Sequence, residues 1–217
     1  MLKVGLFGGT FDPIHNGHLV MAERAQRVFS LDRTWFIPCR LPPHKDESGV
    51  SDPYHRYAMV ALATQANRRF VPSALELRAA GTSYTIRTVN QVRERLGGSA
   101  EIYFLMGMDS WREIESWKDY RLLLDSCSLI LLPRDGGVGE AKSGPPVIEV
   151  RDAATDESLV LPNVPGVFSL RTGEVDVSST LIREKAARGE PLTGLVPQSV
   201  ERYLEKHGLY RTTSAGL

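Results

Sequence analysis

The chain has 217 residues, and its 26 lysines and arginines are balanced by 26 aspartates and glutamates. A formal charge of zero with no basic stripe argues against a long nucleic acid as partner, while this length can bury a substantial core. The two cysteines, Cys39 and Cys127, stand far apart and outside any C-x-x-C pattern, which suits a reducing compartment and argues against a cysteine-held zinc site. The N-terminus opens directly on a strand pattern, Leu2, Val4 and Leu6 alternating, with no charged and apolar leader ahead of it. No later apolar run is long enough to span a bilayer, so the expectation is a soluble cytoplasmic protein with no membrane partner.

Next comes Gly8-Gly9-Thr10-Phe11-Asp12-Pro13-Ile14-His15-Asn16-Gly17-His18, followed by Ala22, Ala25, Val28 and Phe29 at helical spacing. The order is strand, Gly-rich turn, helix. A helix entered from such a turn presents unpaired N–H groups and the positive end of its dipole, which suit a phosphate. Gly8 and Gly9 are expected to let a ligand approach the backbone, Asn16 to cap the helix, and Gly17 to leave space before it. His15 and His18 stand three apart at the helix mouth, where both rings can face one ligand. Solvated histidines on a capped helix are the plain alternative. A metal pair is another, which would need a third ligand and a second shell. The stretch is neither the dinucleotide G-x-G-x-x-G fingerprint nor a P-loop.

Thr34 to Pro38 reads as a second strand, leading into Cys39-Arg40-Leu41-Pro42-Pro43-His44-Lys45, where two prolines stiffen the turn that carries Lys45. That lysine is either held in a defined place or simply solvated on a rigid surface turn. Pro53 opens a helix to about Asn67 with Ser51 or Asp52 as cap, and Phe70 to Leu75 is a weaker strand because of Pro72. Ser83 is the expected cap of a helix from Tyr84 to Leu96, stopped by Gly97-Gly98. The clearest internal strand, Glu101 to Met106, ends in Gly107-Met108-Asp109-Ser110, where an open parallel sheet places its ligand crevice. Trp111 and Trp117 follow, then a helical turn or two from Tyr120 to Leu124 and a strand from Ser126 to Leu132, with Cys127 expected in its core.

Residues 135–165 turn rich in Gly, Pro, Asp and Ala and read as a variable insertion, with Val147–Val150 and Leu159–Leu161 as short strand candidates. Val167 to Leu170 is another strand; Ser178 or Ser179 caps a helix ending near Gly189, and Pro197 to His207 is a last helix stopped by Gly208. The alternation gives an α/β, Rossmann-like, doubly wound and mostly parallel sheet with helices on both faces and a small C-terminal helical part at 178–210. We expect one domain over 1–211 and a tail at 212–217. Taken singly, Trp117 is a plain core aromatic, and Ser179, Thr180 and Arg183 are an ordinary cap with an exposed arginine.

Together these residues resemble a family pattern. His15-Asn16-Gly17-His18 is similar to the HxGH signature of the nucleotidylyltransferase superfamily, which includes class I aminoacyl-tRNA synthetases, and the full GGTFDPIHNGH run narrows it to small adenylyl- and cytidylyltransferases. With PPHK at 42–45, SYT at 83–85, GMDS at 107–110, Trp117, Arg134 and VSSTLIR at 177–183, the chain resembles the bacterial nicotinate mononucleotide adenylyltransferases from Val4 to Tyr210. That resemblance implies transfer of the adenylyl group of ATP to nicotinate mononucleotide, giving nicotinate adenine dinucleotide and pyrophosphate in NAD biosynthesis. It implies His15, His18, Lys45 and Arg183 as the catalytic set. ATP would be held by Gly8, Gly9, Thr10, Phe11, Gly17, Gly107, Asp109, Arg134, Ser179 and Thr180, and nicotinate mononucleotide by Thr10, Lys45, Tyr84, Thr85 and Trp117.

No nucleophilic side chain is needed for such a transfer, since cations and donors at fixed positions carry it. Mg²⁺ is expected to ride on the ATP phosphates and water, with no protein ligand, because it keeps its hydration shell. The rivals are a sister adenylyl- or cytidylyltransferase such as phosphopantetheine adenylyltransferase, which the SYT motif and Trp117 oppose, and a non-catalytic nucleotide sensor. One departure stands out: Cys39-Arg40 occupy a turn where relatives often carry Asn. Assembly into a homo-oligomer is left open by the sequence.

Overall fold

Parallel strands buried on both faces need apolar side chains at successive positions, and this chain supplies them. The computed structural model describes residues 1–40, 49–79, 82–133, 145–151, 165–171 and 177–211. Strands β1 (Lys3–Gly9), β2 (Arg33–Pro38), β3 (Phe70–Pro72), β4 (Glu101–Gly107), β5 (Ser128–Leu132), β6 (Val147–Arg151) and β7 (Val167–Arg171) form one sheet. Its order is β3-β2-β1-β4-β5-β7-β6, and every ladder is parallel. In β1, Val4 and Leu6 face one layer and Phe7 the other; in β4, Ile102, Phe104 and Met106 oppose Tyr103 and Leu105.

Each face takes its own helices. Helices α1 (Asn16–Val28), α2 (Pro53–Thr64), α6 (Ser179–Ala187) and α7 (Gln198–His207) cover one, burying Met21, Ala25, Met59, Val60, Ile182, Val200 and Leu204. Helices α3 (Thr85–Arg95), α4 (Met108–Arg112) and α5 (Tyr120–Ser126) cover the other through Ile86, Val89, Val92, Met108, Trp111 and Leu123. The doubly wound α/β expectation is met. None of the described helices is long and apolar enough to cross a membrane.

Where the chain leaves β1 it winds outward through β2 and β3, then returns to β4 on the opposite side of β1. The carboxyl ends of β1 and β4 therefore border a crevice at the point where the winding reverses, the usual ligand position of such sheets.

Several local expectations change. His15, at φ −143° and ψ 169°, is the N-cap of α1; Asn16 is its first residue and spends its side chain elsewhere. Tyr84, not Ser83, is the N-cap of α3, and the Ser83 hydroxyl instead accepts from the Arg40 N–H at 3.3 Å. Asp52 caps α2 by accepting from Tyr54 N–H at 2.8 Å, and that helix stops at Thr64, short of Asn67. Cys127 is buried at the end of α5, its thiol donating to the Leu123 carbonyl, rather than lying within β5. The stretch read as an insertion supplies an edge strand, since β6 pairs with β7 from Val147 to Arg151. The candidate strand Leu159–Leu161 lies outside the described residues.

Candidate active site

Two hollows open at the crevice, and the backbone of Gly8 and Gly9 lines both. One, of about 440 Å³, is walled by Thr10, Cys39, Glu76, Tyr84, Thr85 and Trp117. The other, of about 370 Å³, is walled by Phe11, His18, Met21, Gly107, Asp109 and Arg112. The glycines owe their identity to packing as well as access: a Cβ at Gly8 would stand 3.0 Å from the Phe104 ring, and one at Gly9 3.2 Å from the Phe11 ring. Both aromatic neighbours are themselves wall residues.

At the mouth of α1 the two histidines meet. Their rings stack with centroids 3.7 Å apart and planes 25° off parallel, and the His15 N–H donates to His18 Nδ1 at 3.3 Å. His15 is buried, whereas His18 is half-exposed and lies edge-on to Phe11, 5.0 Å between centroids. The first N–H groups of α1 are thus engaged within the protein, and half-exposed His18 is the one of the pair that lines the second hollow. Gly17 is buried.

The C-terminal part fastens this motif. Arg183 donates from Nη1 to the Asp12 carbonyl at 2.8 Å and from Nη2 to the Thr180 hydroxyl at 3.3 Å, so the predicted cation stands against the turn that carries the histidines. Ser178 caps α6 by accepting from Leu181 N–H, and the Ser179 hydroxyl donates to the Pro13 carbonyl at 2.9 Å. Asn16 donates from its side chain to the Gly194 carbonyl at 2.8 Å and from its backbone to that of Leu195 at 2.9 Å. Lys45 and Arg134 lie outside the described residues.

In the larger hollow, half-buried Trp117 stands edge-on to Phe104 at 6.2 Å between centroids. Thr85 begins α3, and the Tyr84 ring is flanked by the Arg87 guanidinium at 5.0 Å and the Lys118 ammonium at 4.9 Å. Gly107 and Asp109 border the smaller hollow; Asp109 is exposed and pairs with Arg112 at 3.0 Å. Among the described residues no group of three or more His, Cys, Asp or Glu side chains is arranged to hold a metal.

Along its sequence the protein matches the cytidylyltransferase-like family over residues 6–185. It is 38% identical over 210 residues, 97% of this chain and 95% of the other, to a protein of Thermoanaerobacter sp. (strain X514) named as a probable nicotinate-nucleotide adenylyltransferase. A protein of Moorella thermoacetica with the same name is 38% identical across 99% of this chain and 94% of its own.

This chain belongs to the nicotinate-nucleotide adenylyltransferase family.

In fold, it is similar to the nicotinic acid mononucleotide adenylyltransferase of Plasmodium falciparum complexed with NaAD, at a TM-score of 0.70 and 18% identity, covering 97% of this chain and 98% of that one.

The structure also brings in residues that sequence reasoning passed over. Arg56 is fully buried, and its guanidinium donates to four backbone carbonyls: Ser51 at 2.9 Å, Thr10 at 2.7 Å, Cys39 at 2.8 Å and Arg40 at 3.1 Å. A signal existed, since Arg56, Met59, Val60 and Ala63 fall on one buried helical stripe and only one of them is charged. Glu76 reaches into the larger hollow, accepting from the Thr88 hydroxyl at 2.6 Å; burial pushes its pKa up, against the pull of Thr88 and Ser83. Burial likewise raises the Cys39 thiol, with Arg56 opposing, so this thiol stays protonated beside Thr10. Lys118, a wall residue near Tyr84, adds a cation to the same hollow.

Proposed function

We propose that the protein transfers the adenylyl group of ATP to nicotinate mononucleotide, releasing pyrophosphate and giving nicotinate adenine dinucleotide. The observation that carries this reading is the pair of hollows meeting over Gly8 and Gly9, one bordered by His18 and the other by Thr85 and Trp117. Two nucleotides seated there bring a phosphate of each to the shared backbone. The 5′-phosphate oxygen of the mononucleotide attacks the α-phosphorus of ATP, a new P–O bond forms, and the bond to the bridging α–β oxygen breaks with its electrons leaving on pyrophosphate.

Negative charge grows on the α-phosphate and the leaving group as this happens. His15, His18 and Arg183 are assigned to meet it, and from the sequence Lys45 joins them, while Arg134 is assigned to ATP. Gly107, Asp109 and the start of α6 at Ser179 and Thr180 are assigned to ATP, with Phe11 and Gly17 shaping its seat. Thr10, Tyr84, Thr85 and Trp117 are assigned to the mononucleotide. Trp117 offers its indole to a pyridine ring, and the start of α3 with Lys118 favours an anionic ring substituent. Mg²⁺ is assigned to the triphosphate, whose oxygens and water suit a hard octahedral cation; bound there, it spreads the triphosphate charge. Residues 1–211 are taken to work as one domain.

The test is pyrophosphate release from ATP and Mg²⁺ with each acceptor in turn. Release with nicotinate mononucleotide, and none with phosphopantetheine, is expected. The opposite order would overturn the assignment.

A further inference from the structure

We propose that Tyr210, close to the C-terminal end of the described chain, is a positioning residue for adenylyl transfer, acting through Asp12 on the histidine turn; this rests on the reading above. Its phenol donates to Asp12 Oδ1 at 2.5 Å, across 198 residues of sequence. Asp12 is buried, and each of its acceptor groups is engaged from a different part of the fold. Oδ2 accepts from Ser51 N–H at 3.2 Å, just ahead of α2, and the carbonyl accepts from Arg183 at 2.8 Å on α6. Tyr210 and Arg183 thus converge on Asp12, three residues before His15 in sequence.

Backbone conformation points the same way. Tyr210 has φ +64° and Phe11, beside Asp12, has φ +50°, the left-handed region that costs an aromatic residue and persists only where surroundings hold it. Helix α7 ends in Gly208 at φ +60°, after which the chain turns so that Tyr210 points back to the motif. Burial, and behind it the Asp12 carboxylate, raises the phenol pKa, so Tyr210 remains a proton donor at any working pH.

Tyr210→Phe keeps the ring and removes the hydroxyl, and with it the bond donated to Asp12. The buried carboxylate then loses one of its donors, and the turn carrying Asp12, Pro13 and His15 gains freedom at its centre. Because His15, His18 and Arg183 act on charge that develops during transfer, the loss falls on kcat rather than on binding. An expected decrease of about tenfold in kcat, with KM for both substrates within about twofold of wild type, reflects how steeply rate depends on alignment.

Tyr203→Phe is the control. It removes a phenol contact in the same C-terminal part, the 2.8 Å hydrogen bond between Tyr203 and His55 Nδ1, without touching the motif. Wild-type turnover with nicotinate mononucleotide tests the functional reading; the ratios of the two variants to wild type test Tyr210. A tenfold loss in Y210F beside an unchanged Y203F supports the positioning role. The role is overturned if Y210F keeps kcat within about twofold, if Y203F falls equally, if KM alone rises, or if Y210F fails to fold.

Discussion

Arg56→Met removes a buried cation from the base of both strand ends while filling most of its volume. The guanidinium makes four hydrogen bonds at 2.7 to 3.1 Å, all to backbone carbonyls. At about 1 kcal/mol net for each, their loss costs about 4 kcal/mol. Better burial of the methionine methylenes returns about 1 kcal/mol, leaving a deficit of about 3 kcal/mol. That is a large part of the roughly 5 to 15 kcal/mol that holds an ordinary domain folded. For a chain of this size it corresponds to a drop in Tm of about 6 to 12 °C. Urea unfolding followed by tryptophan fluorescence should show a lower midpoint at unchanged slope. Arg56→Lys, with three donors and no fork, should lose less. Since Thr10 and Cys39 line the larger hollow, KM for the mononucleotide should rise in both variants. An R56M protein within about 1 kcal/mol of wild type would refute the reasoning, because the four carbonyls would then have found other partners.

His18→Ala should lower kcat by about a hundredfold while circular dichroism stays native, because a donor acting on developing charge is lost; near-normal turnover would exclude the role. Wild type should prefer the nicotinate over the nicotinamide mononucleotide by at least about tenfold in kcat/KM, since an amide sets its own donors against the start of α3. Trp117→Ala should weaken both acceptors alike, indole stacking being blind to that substituent, and a changed ratio would count against stacking. Burial raises the Glu76 pKa, so from the ordinary glutamate value of 4.5 upward the folded state holds the extra proton and stability falls as pH rises toward the raised value. Glu76→Gln should flatten that fall in urea midpoints measured upward from about pH 4.5; an unchanged pH slope would show that another group is responsible.

The sheet was legible because its strands carry their burial in the order of residues. Val4 and Leu6 against Phe7, and Phe104 against Leu105, sort onto two faces by alternation alone. Strand β6 was half-hidden: Val147 to Val150 was visible as a strand candidate, but its Gly- and Pro-rich surroundings made it look like part of an insertion, and only pairing with β7 fixes its place. The cap of α1 was misread because Asn16 has the favoured chemistry for a cap, yet its amide is drawn to Gly194, a partner no local rule can find. Arg56 was legible in principle as a charge on an apolar stripe. Tyr210 was not, since its bond to Asp12 has no period and no motif.

The grip of the last residues on the first motif also sets an order of events at the ribosome. The histidine motif at 8–18 emerges well before Ser179, Arg183, Gly194, Leu195 and Tyr210, which hold its turn. At about 5 to 20 residues per second, the interval is on the order of ten seconds or more. During it the nascent chain can pair β1 with β2 and β4, but its histidine turn stays unfastened. A chain halted before residue 178 therefore displays the histidines without the means to align them, and such a fragment should bind nucleotide poorly and turn over none. Full activity is expected only once synthesis has run through Tyr210.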